Sequence, residues 1–243
     1  MATPGGLVID WTQMPTYNTI MSLAAGAALL SLVSLGREIQ TRKAIHPEGW
    51  ALNFGVLGFI LTLTGAHMTL TWPFAKYFPF DNIIFGEPSL AFGVLLLGVA
   101  FYLWKRAEAL RASPNVLGEV VAVARPLTFF VAGLGLSLIA IACAGIVFRL
   151  FAAPPEEPIS GQFAAYPWVE AIFMSGLFGL VGVAALLFPL VLRQADAAQM
   201  AAPSGLGKLL GGVMVVAGTA FLLFGALNYF THIGLIIHTM PKS

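Results

Sequence analysis

Six apolar runs take up most of this chain, and each is about long enough to cross a lipid bilayer. Counted from the ends of the runs, the expected spans are 17–36, 49–72, 88–104, 126–151, 167–192 and 208–238. A helix rising ~1.5 Å per residue needs ~20 residues to cover a ~30 Å hydrocarbon core. Hydrophobic residues make up 58% of the chain, charged residues only 9%, and mean hydropathy is +0.88. A soluble fold of this size would leave large apolar patches in water with such a composition. In lipid every backbone N–H and C=O has to be paired inside the protein, which leaves helices or a closed barrel. The runs lack the two-residue alternation of barrel strands. The expected fold is therefore all-α: one polytopic membrane bundle of six transmembrane helices over residues 1–243, since no hydrophilic segment is long enough for a soluble core of its own.

Net charge is only +1, so the chain carries no electrostatic footprint for nucleic acid; the placement of its charges is more informative. Arg37, Arg42 and Lys43 lie between the first two spans, Lys105, Arg106, Arg111 and Arg125 between the third and fourth, and Arg193 and Lys208 between the fifth and sixth. Lys76, Arg149 and Lys242 fall on the other side. By the positive-inside rule this nine-to-three division puts the 1–2, 3–4 and 5–6 loops in the cytoplasm and both termini outside. Residues 1–10 contain no Lys or Arg, unlike the basic start of a cleavable signal, so the first span is expected to remain as an anchor. The single cysteine, Cys143, falls mid-span and is expected to pack as a small apolar side chain; it excludes an intrachain disulfide, an Fe–S cluster and a Cys-rich zinc site within this chain.

The two longest outside connections, 73–87 and 152–166, are rich in Pro, Phe and acidic residues. The first is aromatic enough to lie along the interface or to fold back on the bundle. Segment 195–207, with its Ala, Pro, Ser and Gly, reads as a flexible connection. Gly55, Gly58, Gly65, Gly133, Gly135, Gly176, Gly179 and Gly182 are placed to let helices approach closely.

Ionisable residues within the spans gather at the outer ends. His67 closes the second span, Glu87 opens the third, Glu170 sits in the first turn of the fifth, and His232 and His238 lie near the end of the sixth. Asp81, Asn82, Arg149 and Asn228 share that layer, as do Trp72, Tyr77, Tyr166, Trp168 and Tyr229, which read as belt anchors. Charged side chains in a membrane normally face an interior partner or cavity. Imidazole and carboxylate from several helices are how bundles build buried metal sites. The expected metal ligands are thus His67, Glu87, Glu170, His232 and His238, holding Fe or Cu, with Zn as a third choice and haem, on His67 and His232, as a variant. His232 and His238 stand about two-thirds of a turn out of phase, which counts against a simple pair. Met174, one turn after Glu170, reads as packing.

The stretch Gly65-Ala66-His67-Met68-Thr69-Leu70-Thr71-Trp72-Pro73, with Asn82-Ile83-Ile84-Phe85-Gly86-Glu87-Pro88 after it, resembles an uncharacterised family of bacterial and archaeal multi-span membrane proteins, a domain of unknown function. The resemblance implies a multi-helix fold and brings no activity; the expected location is the cytoplasmic (inner) membrane of a prokaryote. His67, Asn82 and Glu87 are the matching positions.

The functional expectation is a membrane metalloprotein, a redox component or a subunit of a metal-dependent oxidoreductase, with the lipid bilayer and either partner membrane subunits or further copies of itself around it. The alternatives are a proton- or cation-coupled transporter or channel, and a non-catalytic structural subunit of a larger membrane complex. The inner halves of the spans carry almost no ionisable residues, which weighs against a through-route.

Overall fold

The computed structural model describes residues 17–41, 45–71, 79–198 and 204–240. Residues 1–10, the cations Arg42, Lys43, Lys76 and Lys242, and the aromatic residues Trp72 and Tyr77 lie outside these. Among the described residues all regular structure is helical, and six helical stretches are long and apolar enough to cross a membrane. In chain order these are α1 (Asn18–Gln40), α2 (Pro47–Thr71), α4 (Glu87–Lys105) with the turns before it, α6 (Val116–Ala124) running into α7 (Thr128–Phe148), α8 (Pro167–Ala198) and α9 (Gly205–Thr239). Two short helices complete the set, α3 (Pro79–Asp81) and α5 (Ala107–Ala112).

Helix α2 shows why the sequence forms spans but hides their facing. Its buried residues Ala51, Phe54, Gly58, Leu61, Gly65 and Met68 recur every three or four positions and make a seam. The opposite face, Leu52, Val56, Phe59, Leu63 and Leu70, is equally apolar and exposed. Such a helix is apolar all round, the pattern of a membrane span. The exposed stripe is consistent with contact with lipid.

Three antiparallel pairs dominate the packing: α2 with α4, α7 with α8, and α1 with α9. Lesser contacts of α1 with α2 and of α8 with α9 link them into the lateral order α4, α2, α1, α9, α8, α7. The first and last spans therefore meet at the centre. Each of the three main pairs is seated on facing glycines. A Cβ added to Gly26 would stand 2.6 Å from the Gly218 carbonyl oxygen, one on Gly58 would stand 2.9 Å from that of Gly93, and one on Gly135 would stand 3.0 Å from that of Gly182. Of the glycines expected to matter, Gly58, Gly65, Gly135 and Gly182 are such contacts, Gly55 and Gly179 meet only ordinary neighbours, and Gly133 and Gly176 face open space.

Three local departures from expectation have physical causes. The fourth span starts earlier, at Val116, because Pro126 tightens the backbone into a 3-10 turn (Arg125–Leu127) without ending the helix. The described part of connection 73–87 folds back on the bundle: α3 leads into a π-turn at Asn82–Gly86, which buries Asn82, Ile84 and Gly86 and continues into α4. Cys143 is exposed on α7 and not packed inside the bundle.

At one end, Trp50 donates its indole N–H to Glu38 at 2.8 Å, Arg111 pairs with Glu48, and Arg106 lies 3.9 Å from Glu119. At the other, Phe85 of the π-turn meets Phe151 and Phe178 at ring-centre distances of 6.3 and 5.9 Å. That contact joins the two halves of the bundle.

Gly26→Ala is expected to cost about 1–3 kcal/mol, because its Cβ would overlap backbone atoms of α9 that have nowhere to move. Gly133→Ala, with open space around its Cβ, should leave the thermal unfolding midpoint in detergent unchanged or slightly raised. Equal midpoints for both variants would contradict the glycine seating.

Candidate acid–histidine pocket at one end of the bundle

Because the helix pairs are antiparallel, the start of α1, the end of α2, the starts of α4 and α8 and the end of α9 share one end of the bundle. All five expected ligands lie there. They do not form one cluster, however: no group of three or more His, Cys, Asp and Glu side chains placed to hold a metal ion occurs among the described residues. They divide into separate arrangements.

His67 pairs with the start of α1. The Tyr17 hydroxyl lies 2.7 Å from its Nδ1, with the two rings edge to face at 5.7 Å. Burial raises the Tyr17 phenol above its ordinary value. Glu87 is exposed at the first position of α4, just ahead of Pro88 and directly after the π-turn. His238 bonds the Glu156 carbonyl at 2.8 Å through Nδ1, and since a carbonyl only accepts, Nδ1 is the protonated nitrogen.

Glu170 and His232 come together with a third group that the sequence did not single out. His232 Nε2 lies 3.8 Å from Glu157 Oε1, longer than a hydrogen bond. The two side chains are only 12% and 10% exposed, so this is a desolvated pair and not a surface one. The charges of Glu157 and Glu170 act on each other, and the Ala153 backbone N–H donates to Glu170. Burial pushes the Glu157 carboxyl above the ordinary carboxylate range, partly offset by a hydrogen bond from the Thr231 side chain. Glu170 Oε2 and His232 Nδ1 are buried with no hydrogen-bond partner among the described residues. With the proton on Nε2, Nδ1 is an unsatisfied acceptor, and Glu157 links the two groups, contacting His232 at 3.8 Å and acting on Glu170 through its charge.

The pocket has an apolar floor. Met174 and Phe178 follow Glu170 at one and two turns along the same face of α8, and both are buried. Phe178 stacks on Phe151 at 5.8 Å and meets Phe221 edge-on at 6.0 Å. Met174 thus packs, as expected. The rim is held by Arg149, which ends α7 in the left-handed conformation (φ 52°) and sets its guanidinium 5.5 Å from the Trp168 ring centre.

The family model for proteins of unknown function designated DUF981 matches residues 14–234. The chain belongs to the DUF981 family. No curated protein and no solved structure matches it. In this DUF981 chain, Glu157 escaped the sequence reading because it lies in Pro154-Pro155-Glu156-Glu157-Pro158, which looks like a solvated loop. The only signal was two prolines on one side and one on the other, marking a segment that holds a fixed path.

Asp81, just before the π-turn, is likewise pushed up to about 7 by burial. For Asp81 and Glu157 the folded protein holds a proton that the unfolded chain releases, so their contribution to stability is lost as pH rises from the ordinary carboxylate range through the raised values. The unfolding midpoint should therefore fall between about pH 4 and pH 7.5. Asp81→Asn and Glu157→Gln should each flatten that slope, and an unchanged profile in both would contradict the burial of these carboxyls.

Proposed function

We propose that this chain is an integral membrane protein of a prokaryotic inner membrane that takes a cation from the exterior into the Glu157–Glu170–His232 pocket. The proton is the simplest occupant. A transition-metal ion, Fe, Cu or Zn, is the occupant that would make the protein a redox component or a subunit of a metal-dependent oxidoreductase. The orientation rests on the charge pattern, with the 1–2, 3–4 and 5–6 loops cytoplasmic.

One observation carries the reading: two carboxyl groups and an imidazole share a desolvated pocket in which Glu170 Oε2 and His232 Nδ1 have no partner among the described residues. Leaving a buried acceptor unsatisfied costs about 1–3 kcal/mol, and a cation between acceptors removes that cost. Two carboxylates in such a pocket also repel unless a positive charge accompanies them. By ligand type two carboxylates and one imidazole suit Fe, Zn and Mn, but as they stand the three are not placed to hold a metal ion together. The spacing asks Glu157 to move inward from its present 3.8 Å contact with His232. Any ion held there would supply Lewis acidity or electron transfer, while the protein supplies its donors, its water exclusion and its fixed second contacts from Thr231 and Ala153.

The apolar floor of Met174, Phe178, Phe151 and Phe221 favours binding over passage, because it offers an ion no polar step toward the other face. The transporter and structural-subunit readings make different forecasts for one experiment. Elemental analysis and metal titration of detergent-purified protein should find one ion per chain. Glu170→Gln and His232→Ala should each weaken binding on the order of tenfold or more, with His67→Ala and His238→Ala close to the parent. If no metal binds, a carboxylic C=O infrared band lost in Glu170→Gln identifies the proton as occupant. Absence of both signals sinks the proposal and leaves the structural-subunit reading.

A further inference from the structure

Residues 153–161 lie against the outer end of α9 through a short series of contacts. Glu156 offers its carbonyl to His238 at 2.8 Å, and Glu157 reaches His232 and Thr231. Pro158 seats its ring on the bare backbone of Gly234, where a Cβ would overlap the ring carbons. At the near end Ala153 bonds Glu170 across the mouth of the pocket. The segment thus covers Glu170 and supplies one of its three polar groups.

The far end of the same segment is strained. Ile159 has φ 69° and ψ −70°, and Ser160 N–H bonds the Pro158 carbonyl at 2.9 Å, which together make a γ-turn of positive φ. A β-branched residue rarely adopts this backbone, and strain of this kind persists only where surrounding contacts hold it. Here those contacts are the ones to α9, together with the backbone bonds from Gly161 N–H to Glu157 and from Gln162 N–H to Ile159 within the loop. The turn is one residue from Pro158 and two from Glu157.

We propose that residues 153–161 are a lid, strained at Ile159 and latched on α9 by Gly234 and His238, that carries Glu157 in to complete the cation site and lifts to admit the ion. The inference rests on the cation reading of the same pocket, and deepens it by making Glu157 the ligand that moves. Closure brings the third polar group to Glu170 and His232; opening exposes Glu170 to the exterior and releases the strain. The small number of latch contacts, set against an interior otherwise packed helix to helix, makes this the segment able to open alone.

Labelling of Glu170 by a water-soluble carbodiimide, followed by peptide mass spectrometry on the full chain in detergent, reads the open fraction directly. Glu170 in the parent protein should react slowly. Gly234→Ala displaces Pro158 and should raise the Glu170 rate on the order of tenfold, in proportion to the open population. His238→Ala, which leaves the α9 backbone untouched, should raise it in the same direction and guards against misfolding of the glycine variant. Ile159→Gly relieves the strain in the closed state and should slow labelling. Equal Glu170 rates in the parent and all three variants overturn the lid. If rates respond as expected while neither metal nor the carboxylic band is found, the lid stands and the cation reading fails; metal binding with unresponsive labelling does the reverse.

Discussion

Lipid gives two apolar helices no hydrophobic reason to associate, because hydrocarbon is as good a neighbour as leucine. What holds this bundle is close van der Waals approach of backbones, and that approach depends on the absence of a side chain at facing positions. Gly26 and Gly218, Gly58 and Gly93, and Gly135 and Gly182 each form such a pair. Because both partners in a pair are glycines, the helices are fixed in register as well as in distance. The register of α1 on α9 sets Ser22 to donate to the Phe221 carbonyl at 2.8 Å. The polar end follows from the same geometry, since Tyr17 meets His67 only if α1 and α2 keep their offset.

The two ends of the bundle treat charge differently. Arg111–Glu48 and Arg106–Glu119 are pairs of half-exposed side chains, screened by solvent and worth little to stability. At the opposite end Glu157, Glu170 and His232 are drawn out of water beside an aromatic floor. Taking ionisable groups out of water is expensive, so their presence there asks for a function, while the exposed pairs ask only for a soluble surface.

Much of this was legible in the sequence. The six long apolar helices follow from run length and from the absence of alternation, and the gathering of His67, Glu87, Glu170, His232 and His238 at one end of the bundle follows from their positions near span ends. The facing of the helices was not legible, because α2 is apolar on both its buried and its exposed stripe. Without facing, groups at one depth look like one cluster, and so His67, which turns to Tyr17, was grouped with His232, which turns to Glu157. Gly93 and Gly218 were equally hidden: a glycine in an apolar run shows its role only against its partner, and Gly133 and Gly176 look the same and touch nothing. Glu157 was missed for the opposite reason, since its loop composition signals solvent while its contacts bury it.

The phase of the two histidines on α9 carries the last step. Six residues separate His232 from His238, a rotation of roughly 240° and a rise of roughly 9 Å, so on a helix that stays regular to Thr239 they cannot converge on one ion. A segment of successive turns laid across the helix end poses the reverse requirement, because one residue's carbonyl and the next residue's side chain point in different directions. Glu156 offers a carbonyl and Glu157 a carboxylate, and the offset histidines meet one each. The mismatch that weakens a two-histidine metal site is thus the geometry that grips this segment at two points. It is why the end of α9 reads as a platform for residues 153–161 first, with a single imidazole, His232, left to face Glu157.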